Sequence, residues 1–257
     1  MMWTTQPRSK RAALAYIERG YGPHVVLIHG VGLCAEAWAA QLDPLSQGHR
    51  VTVVDMPGHG QSDPMPLKTL RDYSDQLAPL ITEPTVVIGH SMGAMIALDL
   101  AGRLDHIIGV AALNAIYHRT PEAHDAVRLR AASLSWTEVT DPTATLQRWF
   151  DDLRSAEAQA CAKWLTTASP EAYKSAYTIF AHENGPSSED LRSLTKPALF
   201  MTGSKEPNST PEMSEAMAAL APEGRAVIIP EAAHMMPMTH AQEVNASLLS
   251  FVKGCFA

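Results

Sequence analysis

The chain has 257 residues, 46% of them apolar and 18% charged, a composition that fits a globular protein with a substantial core and excludes a disordered tail. A formal net charge of −7 argues against binding a phosphate backbone, which needs clustered Lys and Arg, so no nucleic-acid partner is expected. The cysteines, Cys34, Cys161 and Cys255, are far apart and form no C-x-x-C pair, which points to neither a disulfide framework nor a structural zinc knuckle.

Met1 to Lys10 is polar and basic and lacks the apolar run of a secretory signal. No apolar stretch reaches the length of a membrane-spanning helix. The expectation is a reducing, cytoplasmic setting with no membrane partner. Ala13 to Glu18 alternates in polarity and reads as an edge strand turning at Gly20 and Gly22. Short apolar runs then recur, each ending at a turn: Val25–Ile28, Val51–Val54, Thr85–Ile88, Ile107–Leu113, Pro197–Met201 and Ala226–Ile229. Continuous β-branched runs suit strands buried on both faces, as in a parallel sheet covered by helices.

Between the fourth and fifth of these runs the rhythm breaks. From about Tyr117 to Leu194 the sequence reads as several helices with no good strand, and Trp136, Trp149, Phe150, Trp164, Tyr173, Tyr177 and Phe180 all fall there. The spacing of Tyr173, Tyr177 and Phe180 places them on one helical face. Most of these aromatics are expected to form the insertion's own core, with one or two, Trp149 and Tyr177 foremost, facing a substrate pocket. The expected organisation is a core in two parts, 1–116 and 195–257, with a helical lid over 117–194.

Gly89-His90-Ser91-Met92-Gly93 fits G-x-S-x-G, directly after an apolar strand and before a helix-like run from Ala94 to Leu104. A serine on such a tight strand-to-helix turn is forced into a strained conformation that projects its hydroxyl as a nucleophile. The helix start behind it offers free N–H groups to a developing anion. The plainer alternative is a serine that merely caps the helix. His29-Gly30-Val31-Gly32 follows the strand at Val25–Ile28; its glycines let the backbone swing an N–H toward the C-terminal sheet edge. The N–H groups of Val31 and Met92 are the expected oxyanion pair.

The base must reach the serine hydroxyl, and His234 lies on the loop after the last strand. Of its competitors, His240 falls near the start of a tail helix over Ala241–Phe251, His59 in the turn Pro57-Gly58-His59-Gly60, and His182 in the helical insertion. His29 and His90 read as structural. The chain order Ser, acid, His calls for a carboxylate after the penultimate strand, and Glu206 is the only one there. The alternatives are Glu231, three residues before His234, and a position after the strand ending at Asn114, where no carboxylate occurs.

Taken together these elements resemble the α/β-hydrolase superfamily over nearly the whole chain. The matching pieces are Val25–Gly32, Val51–Ser62, Val86–Ala94, Pro197–Pro207 and Val227–Met235. Within that superfamily the chain is similar to the branch of 3-oxoadipate enol-lactonases and related small-ester hydrolases, with Gln147–Phe150 and Ser169–Tyr173 resembling that branch's lid. The resemblance implies an α/β fold, with a mostly parallel sheet between helices and a helical lid before the last two strands. Two positions depart from it. The branch usually has Asp where Glu206 stands, and the extra methylene requires a shifted loop. Related C–C-bond hydrolases usually carry serine after the His-Gly pair, where this chain has Val31. Ser91 also differs from the Asp nucleophile of haloalkane dehalogenases.

The expected chemistry is cleavage of a small ester, enol-lactone or activated amide through an acyl-enzyme on Ser91, with a small-molecule substrate and no metal or organic cofactor. The rivals are hydrolysis of a C–N or C–C bond in a ring-cleavage product, and a hydrolase-fold binding protein with little turnover. A metal site built from His29, His59, His90 and His234 lacks the short ligand spacings of zinc motifs.

Overall fold

A computed structural model describes residues 3–257. Met1 and Met2, the first residues of the polar N-terminal segment and of the 1–116 core part, lie outside the described residues. Eight strands form one sheet: β1 (Ser9–Arg11), β2 (Leu14–Arg19), β3 (His24–Ile28), β4 (Arg50–Val54), β5 (Thr85–His90), β6 (Ile107–Leu113), β7 (Ala198–Gly203) and β8 (Gly224–Ile229). Their spatial order is β1-β2-β4-β3-β5-β6-β7-β8. β1 and β2 run antiparallel at one edge, and every pairing from β4 to β8 is parallel.

The apolar runs end up as the inner strands for a simple reason. Alternate residues of each run supply two different cores, since successive side chains leave a strand on opposite faces. Val26, Ile28 and Val87 join one apolar cluster, Val25, Leu27 and Val86 the other. The first cluster is closed by α2 (Leu70–Leu77), α3 (Met92–Arg103) and α9 (Pro211–Leu220). The second is closed by α1 (Ala39–Ser46) and the tail helix α11 (Ala241–Cys255), which follows the short α10 (Met236–Thr239). β1 is absent from the sequence reading because its three residues, Ser-Lys-Arg, are exposed and pair only with β2, so no apolar period marks them.

The stretch between β6 and β7 holds five helices: α4 (Pro121–Ser133), α5 (Thr143–Trp149), α6 (Ala156–Thr167), α7 (Pro170–His182) and α8 (Ser188–Ser193). Leu146, Phe150, Ala158, Cys161 and Leu165 pack with Leu33, Met235 and Met238 from the sheet-edge loops, so the insertion is anchored to the body of the molecule. Among the described residues no helix is long and apolar enough to cross a membrane.

One polar cluster lies inside the body. Arg8 Nε donates to Asp55 Oδ2 at 2.8 Å and Arg8 Nη2 to Glu36 Oε2 at 2.6 Å, and all three side chains are at most 3% exposed. Asp55 also accepts from the backbone N–H groups of Ala35 (2.7 Å) and Gln61 (3.0 Å). The cluster ties the N-terminal arm to the loops following β3 and β4. Removing one partner of a buried ion pair strands the others, which costs about 3–5 kcal/mol. Arg8→Met is therefore expected to lower the unfolding free energy by about that amount, and an unchanged urea midpoint and slope would contradict it.

Candidate active site

The site gathers at the C-terminal ends of the parallel strands, where open α/β sheets leave a crevice. Ser91 sits between β5 and α3 with φ 57° and ψ −120°, a conformation that strains a residue bearing a Cβ. The turn has this shape because two elements come too close for side chains. A Cβ on Gly93 would lie 2.3 Å from the Ile28 carbonyl oxygen, and one on Gly89 would lie 2.0 Å from that of Gly93. Ser91 occupies the N-cap position of α3, yet its side chain makes no capping hydrogen bond. The hydroxyl is therefore not used for capping.

Met92 is the first residue of α3, so its N–H has no partner within the helix. Val31 follows β3 and lines the same cavity as Ser91, and a Cβ on Gly30 would stand 3.1 Å from the Ser91 Cβ. His29 shapes this loop. Its Nε2 accepts from the Met56 N–H at 3.0 Å, which leaves Nδ1 to donate to the Gly30 carbonyl at 2.8 Å. Burial pushes its pKa down to about 4, which keeps the ring neutral in that role.

His234 and Glu206 meet from the loops after β8 and β7. His234 Nδ1 lies 2.8 Å from Glu206 Oε2. The other carboxylate oxygen, Oε1, accepts from the Asn208 N–H at 2.8 Å and the Ser209 N–H at 3.4 Å. The loop beyond Pro207 thus turns its amides back onto the longer glutamate side chain. Asn114, at the end of β6, donates from Nδ2 to Oε2 at 3.3 Å. Burial raises the Glu206 pKa, but the nearby His234 ring, its hydrogen bond and the two amides outweigh it and hold the group at about 2. An ionised Glu206 requires the proton on His234 Nδ1 and leaves Nε2 as a free acceptor.

Two further contacts set the His234 ring. His90 Nε2 donates to the His234 carbonyl at 2.8 Å; burial first, and then the neighbouring His234, lower the His90 pKa to about 3. Trp149 of α5 stacks on the ring with centroids 5.3 Å apart and planes 22° from parallel. Ser91 and His234 line one cavity of about 140 Å³.

Both competing histidines on the sheet side are otherwise placed. His59 is buried with Nδ1 against the Pro57 carbonyl at 3.0 Å, and His240 stands at the start of α11. The alternative acid, Glu231, pairs instead with Lys205 at 2.7 Å on the exposed surface. Among the described residues no group of three or more His, Cys, Asp or Glu side chains could hold a metal ion.

The insertion contributes more to the cavity than its sequence suggests. Trp149, Tyr173, Tyr177 and Phe180 all line it, rather than one or two of the aromatics, and Trp136 is 54% exposed instead of core. The face shared by Tyr173, Tyr177 and Phe180 lines the site, with the Tyr173 ring set so close to the loop after β3 that a Cβ on Gly32 would stand 2.6 Å from it. Asn114, Asn208 and Ser209 were not singled out in the sequence. An isolated side-chain amide and two backbone N–H groups carry no periodic or motif signal; the turn after β7 brings the Asn208 and Ser209 amides to Glu206, and the end of β6 brings Asn114.

Comparison with known proteins adds to this geometry. Residues 25–247 match the model of the Alpha/beta hydrolase family. The chain belongs to that family. The hydrolase is 34% identical to (E)-2-((N-methylformamido)methylene)succinate hydrolase of Acinetobacter baylyi, over 98% of this chain and 99% of that one. It is 30% identical, over 91% of its own length and 96% of the other, to a pimeloyl-acyl-carrier-protein methyl ester esterase of Xanthomonas oryzae. Among solved structures, an esterase of Thermogutta terrifontis with malate bound superposes with a TM-score of 0.85 at 28% identity, covering 95% of this hydrolase and 94% of that chain. The enol-lactonase of Burkholderia xenovorans, at 23% identity, shares the fold with a TM-score of 0.82 over 96% of this chain and all of its own.

Two expectations about stability follow. Glycine at position 91 relieves the positive-φ strain, about 1–3 kcal/mol, against about 0.5–1 kcal/mol of added chain entropy in the unfolded state. Ser91→Gly should therefore raise the thermal midpoint, and a lowered one would contradict the strained turn. Glu36 and Glu206 are both depressed from 4.5 to about 2 in the fold; for Glu36, burial is outweighed by Arg8 and by hydrogen bonds from Cys34 and Gln6. Their contribution is complete above the unfolded value of 4.5 and is lost as pH falls toward 2. Denaturant titrations should show stability declining across that window, and a flat profile there would exclude the assigned ionisations.

Proposed function

We propose that this hydrolase cleaves a small ester, enol-lactone or activated amide through an acyl-enzyme on Ser91. His234 Nε2 removes the Ser91 proton as Oγ attacks the carbonyl carbon. The N–H groups of Val31 and Met92 receive the oxyanion. Glu206 holds the imidazole in the required tautomer and stabilises the imidazolium without taking its proton. His234 then protonates the leaving group, and in the second half it activates the water that releases the acid and restores Ser91. The insertion over 117–194 acts as a lid, with Trp149 shielding the His234 ring and Tyr177 lining the substrate side.

The observation that carries this reading is the meeting, in one cavity, of a strained serine outside any capping role and a histidine already oriented by a buried, ionised glutamate. Within it, the amide alternative draws support from the 34%-identical relative, which is named for a succinate bearing an N-methylformamido group.

Ser91→Ala should fold normally and lose at least about 10³-fold in kcat on p-nitrophenyl acetate. A fluorophosphonate probe should be attacked at phosphorus by Ser91 Oγ in the wild-type protein, releasing fluoride to solvent and leaving its phosphonyl group on the peptide carrying Ser91. Undiminished turnover by the folded variant, or labelling elsewhere, would overturn the assignment.

A further inference from the structure

We propose that Arg119, Arg130 and Arg148 form an anion-selecting wall of the cavity, which takes a substrate bearing two carboxylates while its scissile carbonyl lies at Ser91. This rests on the Ser91 reading above and adds the substrate class and the residues that choose it.

All three arginines line the same cavity as Ser91 and His234, and no Asp or Glu lines it with them. Among the described residues none of the three has a carboxylate within salt-bridge distance, whereas Arg8, whose side chain is 2% exposed, holds two. The hydrogen bonds of the three go only to uncharged oxygens. Arg119 donates from Nη1 to the Glu183 carbonyl and from Nη2 to that of Phe180 at 3.5 Å. Arg130 Nη1 donates to the Tyr177 hydroxyl at 3.2 Å, and Arg148 Nη2 to Thr145 Oγ1 at 3.1 Å.

Unpaired cations taken out of water are costly, and proteins pair them when structure alone decides their place. Arg119 is only 9% exposed, and burial lowers its pKa to about 10. Burial and then the neighbouring Arg130 lower that of Arg148. Glu183 acts on Arg119 from beyond ion-pair distance, so among the described residues none of the three is paired directly with a carboxylate, in a chain whose net charge is −7.

The charges form two stations. Arg130 and Arg148 are close enough to repel one another, beside Tyr177 and Thr145. Arg119 lies over the face of Phe180 at 4.7 Å from the ring centre, and Phe180 packs edge-on against Tyr177 at 6.2 Å. One carboxylate at each station matches the planar fork of the guanidinium. Aromatic and aliphatic walls around them leave room for a small diacid, and the arginines are the only formal cations among the described side chains lining the cavity besides His234.

The test uses a matched pair: O-acetylmalate, with two free carboxylates, and its dimethyl ester, with the same acetyl group and none. The wild type should favour the diacid. Charge-assisted hydrogen bonds correspond to about 10- to 100-fold in binding. Arg130→Gln and Arg148→Gln should therefore each lower the diacid-to-diester ratio of kcat/KM by about that factor, chiefly through KM. Arg148→Lys, which keeps the charge, should lower it less. Calorimetric titration of succinate into folded Ser91→Ala protein should give one-to-one binding that weakens with either Gln substitution and with added salt. A wild-type ratio near one, a ratio unchanged in both Gln variants, or no succinate binding would overturn the proposal. Full turnover by Ser91→Ala would instead remove the nucleophile reading, and succinate binding would still decide the arginines.

Discussion

The approach of α3 to the end of β3 is the constraint on which the site depends. With Gly93 against the Ile28 and His29 carbonyls and Gly89 against Gly93 itself, the chain between β5 and α3 has no room for a relaxed turn. Ser91 absorbs the difference as a positive φ. The same closeness sets the first amide of α3 beside the loop from Gly30. A hydroxyl, a helix start and a strand-end loop are thus brought together by a backbone contact that no larger residue would permit.

Buried electrostatics hold the loops around that turn. On one side, Arg8 joins Glu36 and Asp55 and thereby fixes the chain just beyond Val31. On the other, Glu206 takes amides from its own loop and the ring of His234 from the next. Between them His29 and His90 serve as neutral braces. Burial keeps both uncharged, so each can hold its backbone partners, two for His29 and one for His90, without the cost of desolvating a charge. His90 is of particular use because its neighbour in sequence is Ser91 and its hydrogen-bond partner is the His234 carbonyl. One side chain couples the serine turn to the histidine loop.

The helical insertion answers to different requirements. Its apolar positions pack on Leu33, Met235 and Met238, and Trp149, Tyr173, Tyr177 and Phe180 line the cavity together with three of its arginines. The body of the molecule pairs its buried cation with two carboxylates, while the insertion leaves three guanidinium groups with neutral oxygens alone. Under the proposed function, chemistry and recognition fall to separate parts of the chain that meet at the cavity.

Much of this was legible in the residues themselves. Runs such as Val25–Ile28 and Thr85–Ile88 announce inner strands because two-sided burial demands continuous apolar sequence, and G-x-S-x-G after such a run marks the strained turn because only glycine tolerates its contacts. His234 and Glu206 followed from chain order on the sheet. What the sequence could not convey is how far side chains on separate loops reach toward one another. Asn114 and the amides of Asn208 and Ser209 reach Glu206, Trp149 lies over His234, and Arg119, Arg130 and Arg148 converge from separate segments. Periodicity records which face of an element is buried; it holds no information about the docking of one loop or helix against another. That docking, decided by packing of the whole chain, turned a recognisable set of motifs into a charged and shaped cavity.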